Sequence, residues 1–233
     1  WDRLPLRVSD NVLRILDLFA EADAKATFFT LGWVAQRNPL LMRRIADAGH
    51  EIASHGWDHA RVHTLDRASF AADIAKAREV LQDVSGAAVT GYRAPSFSID
   101  QRTPWAYLEL AEQGYAYSSS VAPVAHDHYG WREAPRFAFH PLPHSPLVEI
   151  PVTTAMLGGR RVAAGAGACV NRAASGLVGA WWGGSARIVI LRSAAVYEDD
   201  HRGPAGRSCP AACCRMVPVS DRPRAHSNVR PRQ

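Results

Sequence analysis

The sequence predicts an α/β fold made of repeated strand-to-helix units around a parallel, barrel-like sheet. Three observations predict it. Between Ser9 and about Leu157, short runs rich in strand formers alternate with amphipathic segments. Gly or Pro punctuates the junctions. Ligand-type residues, His55 and Arg93, stand at the ends of expected strands, where barrel-like parallel folds place their chemistry.

Taken in order, Val12, Ile15, Leu16 and Phe19 fall at helical spacing behind a Ser9/Asp10 cap and predict a first helix. Ala26 to Leu31 is an apolar run ended by Gly32, a buried strand. Pro39 and Gly49 bracket a second helix, and Glu51 to Ser54 is a strand running into His55. Asp66, with Ser69 three residues on, opens a third helix whose stripe is Phe70, Ile74, Ala77, Leu81 and Val84 before Gly86. Val89 to Tyr92 is the next strand, delivering Arg93. Pro104 to Gln113 is a fourth helix, Tyr115 to Ser118 a strand, and Leu147 to Val152 the last clear strand. Residues 122–146 hold six Pro or Gly and four His and read as a long surface loop of the kind that often carries function.

Composition bounds the rest. At 233 residues, 47% hydrophobic and 21% charged, the chain has the make-up of a globular protein with one sizeable domain. No run of about 18 apolar residues predicts a membrane span, and the first residues lack the order of a signal peptide. Localisation is left open, with a bacterial cytoplasm or membrane periphery as the expected setting, and so is oligomeric state. The net charge of +5 is unevenly spread: residues 160–233 hold 12 Arg, no Lys and 4 acidic residues, a net +8, and the rest holds 15 basic and 18 acidic residues, a net −3. Because the basic segment has neither helical periodicity nor interleaved aromatics, nucleic acid is not an expected partner. All four cysteines lie after residue 168, and the Cys209, Cys213, Cys214 cluster lacks a second pair at finger-like spacing, so it is read as incidental.

The strongest local signal is the stretch from Gly49 to His59. A strand ending in His55, a Gly56 turn and His59 four residues later can aim two imidazoles at one divalent ion. The spacing by itself leaves both a metal pair and two ordinary histidines open. His50, at the other end of the strand, reads as a capping or core histidine, and His63 as exposed. A second constellation is Arg93-Ala94-Pro95-Ser96-Phe97, where Arg93 can orient a carboxylate, Pro95 fixes the turn and Phe97 floors a groove. Taken alone, an arginine before a turn is more often a surface ion pair.

In combination these segments resemble a known family. Thr27-Phe28-Phe29 with Gly32-Trp33, Gly49 to His59, Gly91 to Ile99, and Tyr117-Ser118-Ser119-Ser120 occur in the order seen in polysaccharide deacetylases, the chitooligosaccharide-deacetylase homology group. With His126 to Gly130 and Glu149 to Thr154, the text resembles the subgroup associated with bacterial exopolysaccharide loci and exosortase systems. The resemblance implies a distorted, incomplete (β/α) barrel that binds a divalent metal, zinc first, and removes N-acetyl groups from hexosamine units of a polysaccharide. It implies metal ligation by His55 and His59. Arg93 is implied as the catalytic-site arginine that holds an aspartate in place, with Pro95, Phe97, Tyr117 and Ser119 lining the substrate site.

The chain departs from the family pattern at two points. The aspartates of the first motif are expected on a strand ahead of the first helix, where only Trp1 to Val8 stand and Asp2 has no strand-like context. The late general-acid histidine has no match after residue 165, and His201 has the wrong neighbours. The expected division is therefore a partial catalytic domain over residues 1–165 and an aperiodic basic tail over 166–233, disordered or read in a shifted frame, within which only Arg187 to Leu191 has the make-up of a strand. The alternative to an enzyme is an inactive glycan-binding remnant of the family.

Overall fold

The computed structural model describes residues 7–126, 129–164 and 188–192. All of them lie in one compact unit spanning Trp1–Glu198. The first helix, α1 (Val8–Glu21), is capped at Arg7, ahead of the expected Ser9/Asp10 cap. The Ser9 hydroxyl is not used as a cap because it donates to Asn38 Oδ1 at 3.2 Å, a tertiary contact. Val8 and Val12 are buried, with Ile15, Leu16 and Phe19 packed on the core behind them.

Strand β1 (Lys25–Thr30) is buried from Ala26 onward, which its unbroken apolar text requires of a strand covered on both faces. A short helix that the sequence reading did not contain, α2 (Gly32–Arg37), follows at once. Then comes α3 (Pro39–Asp47), with Pro39 at its first position, where the missing amide proton costs nothing. Strand β2 (Glu51–Ser54) leads into His55. Helix α4 (Arg67–Ser85) starts where expected: Asp66 Oδ1 accepts the Ser69 amide at 2.7 Å, and the helix stops at Gly86 in the left-handed region. Phe70, Ile74, Ala77 and Leu81 are its buried stripe.

Strands β3 (Gly91–Tyr92), β4 (Tyr117–Ser118) and β5 (Val148–Glu149) are shorter than their sequence runs, with α5 (Ala106–Glu112) between β3 and β4. The ladder nevertheless continues past their ends, through Arg93 N to Ser54 O at 2.9 Å, Ser119 N to Tyr92 O at 2.8 Å and Ile150 N to Ser118 O at 2.7 Å. Strands β6 (Thr154–Leu157) and β7 (Arg160–Ala163) form an antiparallel hairpin. Its turn, Gly158-Gly159, has φ of 55° and 76°, the double positive that two-residue hairpins favour. Strand β8 (Ile188–Arg192) falls one residue from the expected run and pairs in parallel with β1.

The sheet order is β5-β4-β3-β2-β1-β8, every pairing parallel. This is the α/β fold of the (β/α) barrel type, incomplete in that the described strands end at β5 on one side and β8 on the other. Among its described residues the expected loop at 122–146 carries no regular helix or strand, though Ala122 and Val124 are buried and Phe139 bridges to Glu149. Apart from β8, the expected tail lies outside the described residues, as do all four cysteines and His201. Among the described residues no helix is long and apolar enough to cross a membrane.

Candidate metal centre at the strand ends

Alternation along parallel strands sorts the interior side chains into layers. Phe29 pairs with Ala53, one layer below the level of His55; Gly91 pairs with Tyr117, one layer below Arg93 and Ser119. His55, Arg93 and Ser119 thus share the layer at the carboxyl ends of β2, β3 and β4. Hydrogen bonds tie them together. His55 Nδ1 lies 2.7 Å from the Arg93 carbonyl oxygen. Arg93 Nε donates to Ser119 O at 2.9 Å and Nη2 to Ser119 Oγ at 2.7 Å. Ser120 Oγ accepts the Ala94 amide at 2.9 Å. All these groups are buried.

A carbonyl can only accept, so His55 Nδ1 carries the proton and the ring's lone pair sits on Nε2. His59 closes the turn with φ of 73°, a left-handed conformation that a non-glycine residue holds at a cost of about 1 kcal/mol or more. Its ring centroid is 5.1 Å from that of His55, at 71°. Two imidazoles bound at about 2.05 Å to one tetrahedral ion would place their centroids roughly 5.3 Å apart. The observed centroid spacing is close to that value. A catalytic zinc site takes three protein donors, of which two histidines would be two, and among the described residues no group of three or more His, Cys, Asp or Glu is arranged to hold an ion.

The turn between the two histidines is held from several sides. Gly32 N donates to Gly56 O at 3.0 Å and Trp33 N to Trp57 O at 3.1 Å, so the first amides of α2 find their acceptors in the turn. Asp73 Oδ2 accepts the Trp57 amide at 3.0 Å, and Lys76 Nζ stands 3.5 Å over the Trp57 ring. Gly56, with φ of 80°, has no room for a side chain: a Cβ would stand 2.9 Å from Asp73 Oδ2. Burial pushes the Asp73 carboxyl up to about 6, with Asp58 adding to the shift and the Trp57 amide and Lys76 opposing it.

The remaining expected site residues divide. Pro95 is buried in the turn after β3, and Ser96 and Phe97 that follow it have φ of 53° and 50°. Phe97 is packed with Ala122, Val124 and Val152, and its ring lies 5.6 Å from both the Arg93 guanidinium and the Tyr129 ring. Ser119 spends its oxygens on Arg93. Arg93 is no surface ion pair; it is 1% exposed, with its guanidinium 4.2 Å over Phe29. Tyr117 turns the other way: its hydroxyl donates to Glu51 Oε1 at 2.8 Å, four residues before His55 on β2, about 13 Å along the strand. The structure does not bring Tyr117 to the histidine pair. His50 is a core histidine, accepting the Ala26 amide on Nδ1 at 3.2 Å between Phe19 and Phe28. His63 lies outside the site, 3.3 Å from Arg102 Nη2.

Sequence reasoning missed Asp73 and Glu149. Asp73 was hidden because helical spacing gives a polar position no partner. Glu149 stands in an apolar strand text, Val148-Glu149-Ile150, where a lone acid in a buried strand is the signal that could have found it.

A parallel β/α sheet with two histidines paired at its carboxyl edge defines the α/β class to which the chain belongs. The family follows from sequence comparison: residues 1–117 match the polysaccharide deacetylase model, half of the chain, and the chain belongs to that family. Residues 119–182 match a second model, a domain of unknown function called DUF3473, which runs past the boundary expected at residue 165. A peptidoglycan-N-acetylglucosamine deacetylase of Bacillus cereus is 33% identical over 94 residues, covering 40% of this chain and 34% of that protein. A peptidoglycan deacetylase of Helicobacter pylori is 31% identical over 111 residues, covering 48% and 37%. The chain thus spans about a third of the length of these curated relatives. A crystal structure from Mycobacterium smegmatis, provisionally named a polysaccharide deacetylase, superimposes with a TM-score of 0.50 at 34% identity, covering 61% of this chain and 45% of that one.

Proposed function

We propose that this chain carries the histidine half of a metal-dependent deacetylase site that removes N-acetyl groups from amino-sugar units of a polysaccharide, in the setting of exopolysaccharide assembly. The observation that carries the reading is the His55–His59 pair, spaced at 5.1 Å and with one tautomer fixed by the Arg93 carbonyl. Support for the substrate class comes from the Bacillus cereus relative, whose name specifies N-acetylglucosamine. The exopolysaccharide setting rests on the resemblance of the segments from His126 to Gly130 and from Glu149 to Thr154.

The reaction adds water oxygen to the acetyl carbon, breaks the carbon–nitrogen bond, and returns a proton to the departing amine. A bound divalent ion, zinc in this proposal, supplies Lewis acidity to the carbonyl and lowers the pKa of water to near neutrality. His55 and His59 hold that ion through neutral imidazoles. Arg93, fixed by Ser119 and lying over Phe29, sets an immobile positive charge beside the centre, where it orients a carboxylate. Pro95 and Phe97 shape the wall beside it, and the packing of Phe97 keeps that wall dry.

Acetate release from an N-acetylglucosamine oligomer by the purified chain with zinc tests the proposal. Slow, zinc-dependent release is expected, reduced by a factor of about 10²–10⁴ for each of the unmatched base and acid, and His55→Ala is expected to lower it by a further factor of about 10² or more. Oligomer binding with no acetate released would overturn it in favour of a glycan-binding remnant.

A further inference from the structure

We propose that Glu149 is a positioning residue for the metal centre: its carboxylate sets the turn that holds Arg93, and through Arg93 the orientation of the His55 imidazole. The proposal deepens the deacetylase reading and rests on it. It also gives the segment matched as DUF3473 a task toward the site of the first segment.

The path is continuous, one hydrogen bond to the next. Glu149 Oε1 accepts two backbone amides, Ser120 N at 2.8 Å and Val121 N at 2.9 Å. Those amides belong to the turn after β4 whose preceding residue, Ser119, takes two hydrogen bonds from the Arg93 side chain. The same turn presents Ser120 Oγ to the Ala94 amide, with Ser118 Oγ 2.8 Å behind it. Arg93 and Ala94 are thereby gripped from β4, and the carbonyl between them is the one that meets His55 Nδ1 at 2.7 Å.

The pairing of β4 with β5 does not need this side chain. Ile150 N to Ser118 O and Val148 N to Ala116 O already complete the ladder. A buried acid costs free energy that a leucine in its place would not. Glu149 is 0% exposed, and its Oε2, like the Tyr107 hydroxyl, has no regular hydrogen bond among the described residues. What the carboxyl group gives in return is two hydrogen bonds to the amides that fix the turn.

The test uses two readouts on the full chain: solvent exchange of the His55 Nδ1 proton by NMR without metal, and the dissociation constant for Zn2+. Glu149→Ala is expected to speed the exchange about tenfold and to weaken Zn2+ by 10- to 100-fold, the range seen when residues that orient a ligand are removed. Glu149→Gln keeps an oxygen for both amides and is expected to restore both readouts to within about threefold. If Glu149→Ala does not fold, Glu149→Asp, one methylene short of the amides, is read in the same way. Leu147→Ala, a cavity in the core beside β5, is the stability control and is expected to leave both readouts at wild-type values. Wild-type exchange and affinity in Glu149→Ala, or equal changes in Leu147→Ala, would overturn the proposal. A wild type that takes no Zn2+ while exchange still quickens in Glu149→Ala would overturn the deacetylase reading and leave the positioning of His55 standing.

Discussion

Asp73 reaches from α4 to accept the Trp57 amide, inside the turn that separates the two histidines. Burial is the main reason its carboxyl is pushed up to about 6 from a usual 3.8. A raised carboxylate pKa means that the folded state keeps a proton which the unfolded chain has lost. Stability therefore falls as pH climbs from about 4 to about 6, by at most about 3 kcal/mol before solvent screening reduces it. Asp73→Asn keeps an acceptor for the Trp57 amide and removes the titration. Its melting temperature is expected to gain on wild type across that window and run parallel above it; curves parallel from pH 4 to 7 would count against the account. His50 acts in the opposite sense. Desolvation, followed by Lys25, lowers its pKa, so its contribution is complete above about 6.5 and is lost as pH falls. Its role as a core histidine was legible because it stood at the far end of the strand from the site; the role of Asp73 was not, because no local pattern names a partner sixteen residues away.

Among the elements, β3 and β4 depend on a glycine for space rather than for backbone freedom. A Cβ on Gly91 would run into the Tyr117 ring, which crosses β3 to reach Glu51. Gly91→Ala is expected to cost about 1–3 kcal/mol in a denaturant melt and to dislodge the Tyr117 hydroxyl, and an unchanged midpoint would show that the ring has other room. The same crossing sets where the Tyr117 side chain goes: position on a strand end fixes the backbone, and the small neighbour at Gly91 lets the ring lean toward Glu51. Elements marked by strong caps were legible to the residue, as at Asp66, Gly86 and Pro39. Those missed were short. Helix α2 is six residues long and takes its first acceptors from the turn at Gly56 and Trp57, which no local text encodes. The β6–β7 hairpin was announced by Gly158-Gly159, a two-residue turn signal that the surrounding charged residues obscured.

At the scale of the molecule, parallel register carries the site. Because each strand advances the next in step, residues 38 and 26 positions apart meet in one layer: Arg93 O on His55, and Ser119 on Arg93. Strand-end placement of His55 and Arg93 was readable from the text, and so was the His55–His59 spacing. The grip of β4 and β5 on that layer was not, since it requires knowing that the last expected strand lies beside Tyr117-Ser118. The central claim is that residues 55 and 59 converge on one cation. Titrating the chain with Zn2+ against a competing chelator measures it most directly. One equivalent bound in wild type, weakened at least tenfold by His55→Ala and by His59→Ala alike, is the expected result. Zn2+ affinity unchanged in both variants would contradict it.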